Sequence, residues 1–177
     1  FWQYFEQFSR ANPPYLGPNW ASAQEAALRL GALAFAAQVF ENSPASTPER
    51  LAALREALVL HARRIPPTLS YARAQNNNHL LTEALSLLLA AAALPDLPEA
   101  SHWQQTGWRW LCHGLLHQIA PDGTYAQHST NYHRLMLSVA LWAQVALRPL
   151  DLTWPGPVRE RLAAATRWLL AQLDLDS

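Results

Sequence analysis

The chain of 177 residues contains no lysine: its thirteen basic residues are all arginine, and thirteen acidic residues balance them. With zero formal net charge it lacks the basic excess that drives nucleic-acid binding. A single cysteine, Cys112, excludes an internal disulfide, a zinc ribbon and a CxxC redox pair. It reads as a small buried apolar residue. No apolar run approaches the roughly eighteen residues of a membrane span. No signal-peptide pattern opens the chain, which starts at Phe1 rather than Met, as if a leader had been removed with the true N-terminus. The GxSxG, P-loop and Rossmann glycine patterns are also absent.

What is present is helical. Half of the residues are hydrophobic, with many Ala and Leu, which favours a packed helical domain over disorder. Residues 1–10 form a short amphipathic opening, followed by a turn-rich loop, Asn12 to Trp20. Periodicity predicts helices over about 21–40, 48–64, 79–93, 101–119, 129–147 and 157–173. Thr47-Pro48-Glu49 reads as an N-cap with proline in the first turn, and Pro66-Pro67 stops the helix that follows. The stretch from His79 to Ala93 is apolar nearly all round and should be buried. Three long helices then begin near Trp20, Asn78 and Ser129, each followed by a return helix. Short connections make sequential helices antiparallel, so alternate helices start at the same end. The expected architecture is an all-α arc of helix hairpins, an incomplete α/α toroid. Three hairpins do not close a ring of six, so residues 1–177 are expected to be part of a larger domain. A plain three-hairpin solenoid is the alternative.

Two polar clusters fall at that shared end. Asn76-Asn77-Asn78-His79 precedes one greasy helix, and His128-Ser129-Thr130-Asn131-Tyr132-His133 opens another. A helix N-terminus offers unpaired N–H groups and partial positive charge, and favours anions. One Asn suffices for a cap, so three followed by His suggest more, with Asn78 and His79 the best pair for one carboxylate. Tyr132, in a first turn, is placed to project toward the loop end. His133 and Arg134 either bind substrate charge or sit at a helix interface, and Ser129 reads as an N-cap. Glu83, one turn after His79, either supports it or makes a helix-face contact. Trp20 is the aromatic residue nominated for sugar; the other Trp residues read as packing. His113 and His117, at i and i+4, lack a third ligand and read as core or surface histidines. Paired carboxylates are missing from the site end, against an ordinary glycosidase; Asp122 there is explained by its Pro121-Asp122-Gly123 turn.

The segments Asn12-Pro13-Pro14-Tyr15-Leu16-Gly17-Pro18-Asn19-Trp20, Asn77-Asn78-His79-Leu80 with Glu83, and Asp122-Gly123-Thr124-Tyr125-Ala126-Gln127-His128-Ser129 with Tyr132-His133 resemble the N-terminal helical domain of heparinase II/III-type polysaccharide lyases. The order and spacing fit across nearly the whole chain. The resemblance implies an α/α toroid joined to a C-terminal β-sandwich that lies outside these residues. It implies a periplasmic or secreted bacterial lyase acting on an anionic, uronate-containing polysaccharide, with no cofactor and no metal in this portion. It assigns carboxylate neutralisation to Asn78 with His79, and proton transfer to Tyr132. Trp20, Asn77, Asn131, His133 and Arg134 are the accompanying substrate contacts; Glu83, Gln127 and His128 are the supporting residues. Gln127 departs from the glutamate frequent in the family, which removes a negative charge near the cleft. Heparan sulfate, alginate and bacterial exopolysaccharide all present the required carboxylate. A non-catalytic carbohydrate-binding or exopolysaccharide-processing protein, and a helical interaction scaffold whose polar clusters are only caps, are the competing readings.

Overall fold

The computed structural model describes residues 1–173. The helices are α1 (Trp2–Ala11), α2 (Ala23–Phe40), α3 (Pro48–Arg64), α4 (Leu69–Gln75), α5 (Asn78–Ala93), α6 (Ala100–Gln118), α7 (Thr130–Leu147) and α8 (Gly156–Leu170). Single 3₁₀ turns occupy Pro18–Trp20 and Pro66–Thr68. The architecture is the expected all-α arc of hairpins. Helix α4 is an addition: it is short and polar, and it fills what looked like a bare connection after Pro66-Pro67. Trp20 does not open α2; it ends the 3₁₀ turn, and α2 starts three residues later.

Helix α5 is the axis. Its sequence carries two apolar stripes, and each faces a different core. Leu81, Ala84, Leu85 and Leu88 recur at helical spacing and pack with Leu111, Leu115, Met136 and Val139 of α6 and α7. Leu80, Leu87, Ala90 and Ala91 pack instead with Leu30 and Ala34 of α2 and Leu58 and Ala62 of α3. A helix apolar on both sides is stable only when enclosed, and α2, α4, α6 and α7 enclose it.

Direction is visible in the contacts. Ser86 Oγ donates to the Ala27 carbonyl at 2.9 Å, and Gly31 lies opposite Leu89, so α2 and α5 run parallel. Gly107 lies against Ala84 and Leu87, whereas Gly114 lies against Leu81, so α5 and α6 run antiparallel. These two glycines, seven apart on one face of α6, let its backbone approach α5 closely. A Cβ on Gly107 would stand 2.7 Å from the Ala84 carbonyl oxygen.

Parallel α2 and α5 bring their N-termini to one end. Arg64, the last residue of α3, staples that end: its guanidinium donates to the carbonyls of Trp20 (2.9 Å) and Ala21 (2.6 Å) and to Thr68 Oγ1 (3.0 Å).

Candidate functional site

The three asparagines before α5 do three different jobs. Asn76 closes α4 in the left-handed conformation, with φ 46° and ψ 51°. Asn77 is the N-cap of α5, its side chain accepting from His79 N at 2.9 Å. Asn78 is the first helical residue and is buried, with its carbonyl accepting from Thr82 Oγ1. Its main-chain N–H donates to Gln127 Oε1 at 3.0 Å.

Gln127 belongs to the loop before α7, so this bond ties the second polar cluster to the first. A hub reinforces it. Gln118, buried at the end of α6, donates through Nε2 to the Asn77 carbonyl (3.1 Å) and Asn76 Oδ1 (3.3 Å). Its Oε1 accepts from Tyr125 OH at 2.9 Å, and the same hydroxyl reaches Gln127 Oε1 at 3.3 Å. The loop is shaped by an antiparallel bridge between Ile119 and Tyr125 and by Gly123, at φ +95°, packed on the Ala164 carbonyl of α8. Asp122 accepts from Thr124 N and Oγ1, the turn role expected of it. Gln118 escaped sequence reasoning, a polar residue directly before the apolar Ile119 being its one signal, and Tyr125 stood in the Asp122–Ser129 segment without an assigned role.

This arrangement corrects one expectation. The first N–H groups of α5 are not free to hold an anion: Gln127 takes that of Asn78, and Asn77 takes those of His79 and Leu80. What remains unengaged at this end of α5 is side chains. Among the described residues, no hydrogen bond engages the Asn78 amide or the His79 imidazole. Partial burial lowers the pKa of His79, with Glu25 opposing, so its ring favours the neutral form, which has one N–H to donate. Helix α7, by contrast, has Ser129 at the N-cap position but no side-chain capping bond. Thr130, Asn131 and Tyr132 of its first turn are exposed, Tyr132 by 43%. His128 and Arg134 are exposed as well.

Burial pushes the Tyr125 phenol up from its ordinary range. It stays protonated and acts as a donor, which leaves Tyr132 as the tyrosine open to solvent beside this loop.

Two nominated contacts are withdrawn by packing. His133 is 1% exposed; its Nε2 bonds the Ala165 carbonyl at 2.8 Å and its ring stacks on Trp168. It joins α7 to α8 and presents no face to a ligand. Trp20 is 4% exposed, set against Tyr15 and His61, with Nε1 donating to the Asn12 carbonyl. Its ring lines a different cavity, with Asn12, Arg29 and His61, that neither Asn78 nor His79 borders. Burial holds His61 down at about 4, helped by Arg29. The ring is neutral, donating from Nδ1 to the Ala57 carbonyl and accepting from Arg29 Nε at Nε2. Glu83 is buried and makes no hydrogen bond to His79; burial raises its carboxyl to about 7.

Outside the site, His113 and His117 are exposed, stacked rings 4.0 Å apart. His117 Nδ1 bonds the His113 carbonyl. Cys112 is half-buried, and burial pushes its thiol to about 12, so it is not a nucleophile at neutral pH.

An all-α arc of hairpins whose Asn76–His79 cluster is tied to the loop before α7 can be compared with known domains. The family model for the heparinase II/III N-terminus matches residues 3–150. The chain belongs to the heparinase II/III family. It is similar to a heparin-sulfate lyase of Bacteroides thetaiotaomicron, 29% identical over 73% of this chain and 18% of that protein. A heparin-sulfate lyase of Bacteroides stercoris is 31% identical over 58% of this chain and 15% of that protein. The fold matches the crystal structure of heparinase III with TM-score 0.81 at 24% identity, over 96% of this chain and 26% of that one. Heparan sulfate lyase HepC from Pedobacter heparinus matches with TM-score 0.69 at 25% identity, over 96% of this chain and 27% of that one. The chain thus spans between 15% and 27% of the lengths of these relatives.

Proposed function

We propose that this chain is the N-terminal helical arc of a polysaccharide lyase that cleaves uronate-containing glycans by β-elimination. The observation that carries the reading is the tie between Asn78 and Gln127, which sets the Asn78–His79 pair beside the loop leading to Tyr132. Further helices complete the toroid, and a following β-sandwich domain covers the cleft. The parent protein works in the periplasm or outside the cell.

The chemistry follows from charge. A proton alpha to an ionised carboxylate is weakly acidic, because its removal adds a second negative charge to the same group. Donors from Asn78 and His79 stabilise that developing charge. The uncapped N-terminus of α7 adds its partial positive charge nearby. Tyr132 takes the proton from C5. The electron pair forms the C4–C5 double bond, the C4–O4 bond breaks, and O4 receives a proton, from the same tyrosine on a syn substrate. Atoms and charge balance without a cofactor.

The test is ultraviolet absorbance of the conjugated unsaturated uronate, followed for the full-length protein on heparan sulfate, alginate and bacterial exopolysaccharide. A rise on at least one polymer that disappears in Tyr132→Phe supports the reading. Binding without any rise assigns the protein to non-catalytic glycan recognition instead. Neither rise nor binding leaves the scaffold reading.

A further inference from the structure

Beside His79, a cavity of about 400 Å³ opens between the start of α2, helix α4 and the first turns of α5. That volume lies in the range of small-ligand sites. Ser22, Thr68, Tyr71 and Gln75 line it, and His79 and Glu83, one turn apart, contribute one face of α5. Glu83 is the unusual member. It is 3% exposed, and its Oε2 is buried with no hydrogen-bond partner among the described residues.

Among the described residues, no group supplies that partner. Arg64 is the cation whose field reaches Glu83, but its hydrogen bonds run to the Trp20 and Ala21 carbonyls and to Thr68 Oγ1, and none reaches Glu83. Two other buried side-chain atoms share the orphan state, Glu99 Oε2 and Arg161 NH1. Glu99 is already paired to Arg63 through its other oxygen, and neither residue lines this cavity. A desolvated carboxyl without a partner is costly, and it persists where something else satisfies it.

We propose that this cavity is a subsite for the sugar ring next to the uronate, held by a hydrogen bond from a hydroxyl or ammonium group of that ring to the Glu83 carboxyl. The placement rests on the lyase reading: His79 both lines the cavity and stands at the N-terminus of α5, so a ring seated here adjoins the carboxylate position. The ligand must bring a donor, since Glu83 is an acceptor whenever it is ionised. Burial raises its carboxyl toward neutrality, as expected of a group that awaits a donor from outside the chain.

The test uses the full-length protein in a Tyr132→Phe background, so that bound oligosaccharide is not consumed. Calorimetry follows binding of a uronate–glucosamine oligosaccharide with free amines, and of its N-acetylated counterpart. Glu83→Gln weakens binding of at least one by about tenfold, and Glu83→Leu by more. A loss confined to the free-amine form identifies the ammonium as the donor; an equal loss on both identifies a hydroxyl. Neither variant lowers the melting temperature, because no protein partner is removed. Unchanged affinity for both oligosaccharides in both folded variants, or no binding by the parent, overturns the subsite. Failure of the lyase reading is separate: it appears as absent unsaturated product in the protein that keeps Tyr132, with Glu83-dependent binding intact.

Discussion

Gln127 Oε1 accepts the main-chain N–H of Asn78 at 3.0 Å, across 49 residues of sequence. The bond joins the loop before α7 to the first residue of α5. It also accounts for glutamine here. An amide oxygen accepts from the Asn78 N–H and from Tyr125 OH as a carboxylate would, without adding a negative charge where an anionic substrate is to bind.

Removing that acceptor strands a donor. Gln127→Ala is expected to lower stability by about 1–3 kcal/mol, measured by urea unfolding. Gln127→Glu keeps the bond and adds charge at a helix N-terminus, so stability holds or rises by about 0.5 kcal/mol. The same charge repels the substrate and raises KM, read in steady-state kinetics.

Glu83 makes stability depend on pH in a defined direction. Its carboxyl is raised from 4.5 to about 7 by burial, so folding takes up a proton between those values. Stability is therefore greatest at low pH within this interval, falls as pH rises through it, and levels off above about 7. Glu83→Gln removes that slope and stabilises the protein by about 1–3 kcal/mol at about pH 8. Melts across pH check it.

Gly107 sets the spacing of α5 and α6. A methyl group there meets the Ala84 carbonyl oxygen at 2.7 Å and Leu87 Cβ at 3.1 Å, neither of which yields easily. Gly107→Ala is expected to cost about 1–3 kcal/mol despite alanine's better helix propensity. A rise in the urea midpoint would contradict this.

His133 tests the division between packing and binding. Its bond to the Ala165 carbonyl and its stack on Trp168 join two helices. His133→Phe should lower stability by about 1–3 kcal/mol, because a buried carbonyl loses its partner. KM of the folded variant should match the parent's.

Much of this was legible in the chain. The period of the Leu residues in α5 announced a helix buried on both sides, and Pro66-Pro67 ended α3 where proline must. Thr47 caps α3 as read, accepting from Arg50 N. The convergence of Asn76–His79 with the 127–132 loop followed from alternating helix direction. What was not legible depends on partners distant in sequence. Nothing local distinguishes the buried His133 from the exposed His128; only α8, packed across it, decides. Nor does a lone Trp20 reveal that Tyr15 and His61 cover it. Helix α4 is short and polar, without the apolar stripe that periodicity detects. The Asn78 N–H looked available for an anion because its acceptor, Gln127, lies in another loop.

If Asn78 reads the substrate carboxylate, its removal and the removal of that carboxylate should both suppress turnover. Initial rates of unsaturated-product formation are compared for the full-length protein and Asn78→Ala, on a uronate polymer and on the same polymer with its carboxyl groups reduced to alcohols. Asn78→Ala is expected to lose about 10²-fold or more in kcat, with the melting temperature little changed, and the reduced polymer to yield no product. An Asn78→Ala protein that cleaves the uronate polymer at the parent's rate would contradict this role of Asn78.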